Sequence, residues 1–344
     1  MAIEVSEENQ GGIRRMRVRG DRTAAFTELG RRLGGPIRHT LEVLPAARRL
    51  TALLDTDPGQ RQFRAVLDAS RQAFPTEWGE LAAMAAGAGI PAEQLTLFNL
   101  RGDLGEAPAG RSGCSDLSWR GSRLLMGHNE DGNRHYQDLW LLLTLEIEDD
   151  PIHSCFWYPG FLPANAFTYT ETGLVWTVDN LPAPHPTKAP GRHFVARGLQ
   201  RRATSAREAR AYLMAHDSAG AFAYNVGDAS GELFTAEVGA GQRGIADATS
   251  ESPLIWHTNH GRYMPDPPRP TGGTSLERGR ILADLARPDE EPDTDWLLRV
   301  LATPPPGGVF ASGESVTLVT LAADLRARRV VLKPRGEAPV TVLG

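Results

Sequence analysis

The spacing of hydrophobic positions changes character near residue 114. A strand-like stretch, Ile13 to Arg19, comes first. From about Asp21 to Leu100, apolar residues such as Leu41, Leu44, Leu50, Leu53 and Leu54 recur at roughly helical spacing, and the Ala-rich LAAMAAGAGI has high helix propensity. A breaker-rich loop, GDLGEAPAGRSG, then runs from Gly102 to Gly113 and delivers the chain to Cys114. Beyond it the pattern predicts short strands: SDLSW, SRLLMGHN, LWLLLTLEI, SCFWYP and AFTYTETGLVWTVDN, with turns at Asp131-Gly132 and Thr172-Gly173. A helical block, HFVARGLQRRATSAREARAYLMAH, precedes the strands AFAYNVGDASGELFTAEVG, which turn at Asp228 to Gly231, and SPLIWHTNH. Helices are expected over 274–287 and 294–302, and two closing strands in SVTLVTLAADL and RRVVLKP. Runs of strands between runs of helices favour an α+β fold over a parallel βαβ array.

The bulk chemistry narrows the function classes. No apolar run approaches eighteen residues, and the first twenty residues lack an apolar signal core, so a cytoplasmic protein is expected. The net charge of -5 gives no reason to expect nucleic acid or an anionic membrane as partner. No glycine-rich phosphate cradle occurs, and no cofactor is expected. The basic residues are almost all arginine, with lysine only at positions 188 and 333, which with abundant Ala, Gly and Pro suggests a GC-rich bacterial genome. Only two cysteines occur, Cys114 and Cys155, without metal-finger spacing, so a disulfide framework is not expected and one thiol is available for chemistry.

Gly113-Cys114-Ser115 stands where the loop turns into the first strand of the β-rich part. A hairpin return would bring Gly127-His128-Asn129-Glu130-Asp131 back to it, placing Asn129 and Asp131 within reach of Cys114. A third polar cluster, Trp256-His257-Thr258-Asn259-His260, directly follows the apolar SPLI. The nine histidines include His257 and His260 three apart, but no HExxH or carboxylate-bracketed pair accompanies them, and no metal is expected. A Ser115, Asp131 and His257 triad lacks the GxSxG turn that would support it.

Gly-Cys-Ser, a short hairpin to Asn-x-Asp, the turn segment of Asn225, Val226, Asp228 and Gly231 running to Glu237, and then His-x-Asn-His occur in that order. This series resembles peptidase family C45, the acyl-coenzyme A:6-aminopenicillanic acid acyltransferase family of the Ntn-hydrolase superfamily, and more distantly bile-salt hydrolases and penicillin V acylases. The resemblance implies an αββα sandwich, two antiparallel sheets flanked by helices, made as an inactive precursor that cuts itself between Gly113 and Cys114. Segment 1–113 would stay bound as the small subunit of a single domain shared with catalytic segment 114–344. The freed α-amine, with an ordinary pKa of about 7.7 to 8, could accept the Cys114 thiol proton without a histidine. The resemblance further implies that Asp131 orients this amine and that Asn259 donates to the oxyanion.

Supporting positions are His128, where bile-salt hydrolases carry arginine, Asn129, and Asn180 in a loop like the family's pocket loop. To these are added Asn225, His257, and Tyr158 and Phe161 as walls of an acyl pocket. Arg278 lies where the superfamily often has an arginine near the nucleophile, although its own segment reads as a surface helix. The expected substrate is a small acyl amide, with an amine or acyl-CoA as co-substrate if the acyl group is transferred. The competing reading is an uncut, non-catalytic binding protein of the same fold.

Overall fold

The computed structural model describes residues 3–105, 113–183, 187–267, 273–285, 288 and 290–344. Most of the predicted 102–113 loop, and the end of the predicted 274–287 helix, lie outside them. The helical block resolves into α1 (Arg22–Val43), α2 (Pro45–Leu53), α3 (Asp57–Ala73), α4 (Pro75–Ala88) and α5 (Ala92–Asn99). Caps mark several starts: the side chains of Asp21 and Thr56 accept from backbone N–H groups three residues on, and proline opens α2 and α4. Gly89 in the left-handed region closes α4.

One sheet has nine strands in the order β1 (Glu4–Gln10), β2 (Ile13–Gly20), β5 (Leu141–Ile147), β6 (His153–Trp157), β7 (Phe167–Tyr169), β8 (Val175–Leu181), β9 (Ala221–Gly227), β10 (Leu233–Gly239) and β11 (Gln242–Asp247). The other has six: β12 (Leu254–His257), β3 (Ser115–Arg120), β4 (Leu124–Asn133), β13 (Ser315–Asp324), β14 (Arg329–Pro334) and β15 (Val340–Leu343). Between β8 and β9 the chain forms α6 (Arg192–Arg202) and α7 (Ala206–Ala215). Between β12 and β13 it forms α8 (Ser275–Ala283) and α9 (Thr294–Leu301).

Period-two alternation assigns the faces. On β3 and β4, Leu117, Trp119 and Leu125 join Leu282, Leu297 and Leu301 of α8 and α9 in one apolar cluster. Leu124 and Met126, on the opposite face, join a larger core with the nine-stranded sheet and α1 to α7. The result is helices, sheet, sheet, helices, an αββα sandwich.

Three expectations change. Asp131-Gly132 is not a turn, because β4 continues through it to Asn133, paired with β13. The sheets are not wholly antiparallel, since β2 pairs parallel with β5, from Arg15 opposite Leu142 to Gly20 opposite Ile147. The strand-like segments after residue 114 do not form one meander: β3 and β4 enter the small sheet and β5 crosses to the large one. The edge strands β1, β11 and β15 were not anticipated. β1 and β11 are largely polar, and β15 is short, so none carries a strong apolar alternation.

Candidate active site

Cys114 precedes β3 and is 7% exposed. Its neighbours follow from the hairpin register, which sets Ser115 opposite Asn129 and Asp116 opposite His128. Asp116, His128 and Glu130 therefore share the face toward the large sheet. The Cys114 thiol donates to Glu130 Oε2 at 3.7 Å. Glu130 also accepts from Tyr158 Oη at 2.5 Å and faces His128 Nε2 at 3.0 Å. His128 Nδ1 lies 2.9 Å from Asp116 Oδ2, and Thr177 of β8 donates to the other Asp116 oxygen.

The chain of acids and imidazoles continues across the sandwich. His257, at the end of β12, lies 3.0 Å from Asp179 Oδ2 and 2.8 Å from Glu237 Oε1. Asp179 and Glu237 flank Ala223 in the cross-strand row of β8, β9 and β10, so a small residue separates the two acids that His257 bridges. Glu237 also accepts backbone N–H groups of Arg262, Tyr263 and Met264. Asn225 donates to Asp179 Oδ2 at 3.5 Å and accepts from Thr235, a bracing role.

Burial disfavours charge on both imidazoles, yet their flanking carboxylates overcome it. His128 is raised well above the usual histidine range, chiefly by Asp116, and His257 is held up to about 9. Burial, then the Asp116 charge, pushes Asp179 up to about 7. Burial, then the Glu130 charge, pushes the Cys114 thiol above its ordinary range.

The other side of the junction carries Asp131, Asn259 and Arg278. Asp131 Oδ1 accepts from Thr317 at 2.6 Å, whereas its buried Oδ2 has no hydrogen-bond partner among the described residues. The β13 register shifts between Thr317 and Val319, opposite Asp131 and Glu130, a bulge that re-aims the side chains there. Burial pushes the Asp131 carboxyl up to about 7 against the pull of Arg278. Arg278 donates to the Cys114 carbonyl at 2.5 Å, to Ser115 Oγ at 2.7 Å and to Asn259 Oδ1 at 2.8 Å. It is 4% exposed, so it belongs to the junction and not to a helix surface.

Because Arg278 holds Asn259 Oδ1, the amide orientation is fixed, and Nδ2 donates to the Asn180 carbonyl at 3.0 Å. The second Nδ2 hydrogen is not taken by a described residue. A Cβ on Gly113 would lie 2.3 Å from Asn259 Oδ1, so a larger residue before Cys114 would push Asn259 off its Arg278 partner. Gly113 does not adopt a positive φ, so the constraint on this position is steric.

The remaining expected residues divide. Asn129 points to the α9 face, donating to the Leu301 carbonyl at 2.8 Å and accepting from Thr320 at 2.7 Å, away from the thiol. Asn180 serves through its backbone carbonyl. Tyr158 and Phe161 are buried with ring centroids 6.2 Å apart, and Tyr158 reaches the site through Glu130. His260 turns from His257 to Ser275 Oγ, and His135 meets Thr40. Cys114, His128 and Glu130, and likewise Asp116, His128 and Asp179, place one potential metal-ligand atom each within 4.8 Å of one another. Both His128 nitrogens already face carboxylate oxygens, so a cation would have to displace a proton from that ring.

Glu130 and Asp116 lie in the site without being among its expected residues. Their signal was the alternation along β3 and β4, which puts 114, 116, 128 and 130 on one face once the hairpin register is set.

A protein-family model described as acyl-coenzyme A:6-aminopenicillanic acid acyl-transferase matches residues 119–304, more than half of the chain. The chain belongs to this family. The stretch matched to the acyltransferase family includes His128, Glu130, Asp131, Asp179, His257, Asn259 and Arg278, and begins beyond Cys114. None of the curated proteins matches the chain. Among solved structures, two variants of conjugated bile acid hydrolase from Clostridium perfringens are similar at 10% identity, with TM-scores of 0.38 and 0.40. They cover 67% and 66% of this chain and 92% of their own. Penicillin V acylase from Agrobacterium tumefaciens is similar at 12% identity and a TM-score of 0.35, over 66% of this chain and 84% of its own. No helix among the described residues of this acyltransferase-family member is long and apolar enough to cross a membrane.

Proposed function

We propose that the chain is a self-processing amidohydrolase or acyltransferase that cuts itself between Gly113 and Cys114 and then carries an acyl group on the Cys114 sulfur. The observation that carries this reading is Asp131 Oδ2, a buried carboxylate oxygen with no hydrogen-bond partner among the described residues, in the field of the same Arg278 that holds the Cys114 carbonyl. A buried acid is costly unless paired, and the α-ammonium created by cutting before Cys114 is the cation this oxygen lacks. In the uncut chain burial holds Asp131 up to about 7; beside an ammonium its carboxylate form would be favoured.

In the mature form the α-amine takes the thiol proton, Sγ attacks the carbonyl of a small amide, and the oxyanion accepts from the second Asn259 Nδ2 hydrogen. Arg278 positions Asn259, and Tyr158 and Phe161 form the wall beside the acyl group. The α-ammonium gives its proton to the departing amine nitrogen as the C–N bond breaks, and water or a second amine then resolves the thioester. The leaving amine is a small molecule, with acyl-CoA as an alternative donor. Segments 1–113 and 114–344 remain together as small and large subunits, because β2 is paired to β5 and α1 to α5 are packed in the common core.

The test is mass spectrometry of the purified protein after denaturation. Chains 1–113 and 114–344 are expected, with Cys114→Ala staying whole. A native chain that remains intact on prolonged incubation would favour the uncut binding protein, and cutting of Cys114→Ala at the same bond would remove Cys114 as nucleophile.

A further inference from the structure

In the uncut chain the Cys114 nitrogen is an amide and cannot accept a proton, so the base of the mature enzyme does not yet exist when the first cut must be made. Resting on the self-processing proposed above, we infer that Glu130 is the base of that cut. Its Oε2 takes the Cys114 thiol proton as Sγ attacks the Gly113 carbonyl. The C–S bond forms, the C–N bond between Gly113 and Cys114 breaks, and the proton passes from Glu130 to the departing nitrogen. Water then hydrolyses the thioester, leaving the Gly113 carboxylate, a free thiol and the α-amine.

Three observations support the assignment. The thiol donates to Glu130 Oε2 at 3.7 Å. The carboxylate is fixed from two other directions, Tyr158 Oη on Oε1 at 2.5 Å and His128 Nε2 near Oε2 at 3.0 Å. The rival base, His128, also borders the thiol, but both its nitrogens face carboxylate oxygens and both are therefore occupied by protons. Asp131, whose Oδ1 is bonded to Thr317, stays available for the ammonium that the cut releases. The charged and titratable groups around Glu130 and the thiol are His128 and Asp131 of β4, Asp116 of β3, Asp179 of β8, Tyr158 after β6 and Arg278 of α8. Proton transfer from a buried thiol to a carboxylate that already accepts two hydrogen bonds is uphill. That is tolerable for a reaction each molecule performs once, and a positioned base typically contributes about 10² to 10⁴-fold.

The test follows the full chain made by cell-free translation, with cutting timed on denaturing gels across about pH 6 to 9. Glu130→Gln is expected to cut about 10² to 10⁴-fold more slowly. Its residual rate should rise about tenfold per pH unit, because hydroxide must then form the thiolate. Glu130→Asp, which keeps a carboxylate, is expected to be slowed while retaining the native pH profile. Cutting of Glu130→Gln at the native rate and profile overturns the inference and leaves self-processing standing, whereas a native chain that never cuts overturns both. Thermal unfolding of Glu130→Gln against uncut Cys114→Ala checks its fold. If the Gln variant is unfolded, Glu130→Asp decides, and a hydroxide-driven profile in that variant overturns the inference.

Discussion

Among the described residues two buried networks of charge stand out, one in the helical layer and one between the sheets, and they are built from different cations. In the helical layer Arg22, Arg197, Arg201 and Arg202 meet Glu77, Glu80 and Asp150, with Arg197 Nε to Glu80 at 2.7 Å and Arg22 to Asp150 at 2.7 Å. Between the sheets, Glu130, His128 and Asp116 continue to Asp179, His257 and Glu237. Arginine keeps its proton at any working pH, so the first network is a fixed clamp, and it pulls Asp150 and Glu77 below the ordinary carboxylate range despite their burial. Histidine between two acids can give its proton up, and Asp179 beside Asp116 is held up to about 7. Burial of charge alone therefore does not mark the chemistry; burial of charge that can titrate does.

The contrast can be broken most directly at Arg197. Arg197→Ala leaves Glu80 and Asp150 each short of a buried partner and is expected to cost about 3 to 5 kcal/mol. The loss in unfolding free energy should stay constant between about pH 6 and 9, because the guanidinium does not titrate there. A loss that varies with pH in that range would erase the distinction between the networks.

Asn259→Ala sharpens the comparison from outside both networks. Turnover is expected to fall about 10² to 10³-fold, equal to about 3 to 4 kcal/mol, with thermal stability nearly unchanged. Steady-state kinetics on the processed protein decides, and near-native turnover would remove Asn259 from the oxyanion.

The smallest expected effect is at His257. Its folded pKa of about 9 lies above the ordinary histidine value, so the stability it adds is complete below about pH 6.5 and disappears as pH rises through about 9. The difference corresponds to about 3 kcal/mol at most. Asp179, also raised, acts in the same direction at lower pH, its contribution fading as pH climbs toward about 7. Unfolding of His257→Gln should show a flatter pH dependence than the native chain, converging with it near pH 9 to 10. Equal slopes would mean that His257 is not charged in the folded protein.

Much of the fold is legible in the sequence. The helical block and most strands follow from periodicity, whereas the series Cys114, Asp131, Asn259 comes from the family resemblance. Reading Asp131-Gly132 as a turn hid the rest of the site, for it ended β4 before its alternation could be counted. Counted to Asn133, that strand puts His128 and Glu130 toward the thiol and Asn129 toward α9. Arg278 resembles a surface residue for another reason. Its burial depends on α8 packing against β12 and the junction, and a short helix with arginine and glutamate in it carries no local sign of that contact. The Asp116 and Asp179 approach spans two sheets whose relative placement no periodicity encodes.

The parallel seam between β2 and β5 has a consequence for how the protein melts. With Gly113 and Cys114 joined, unfolding is a one-molecule event. If they are parted, the same seam would join two molecules and unfolding would release both, so mass action would enter. The melting temperature of the processed form would then climb with protein concentration, while that of Cys114→Ala would not, and dilution alone would distinguish the two.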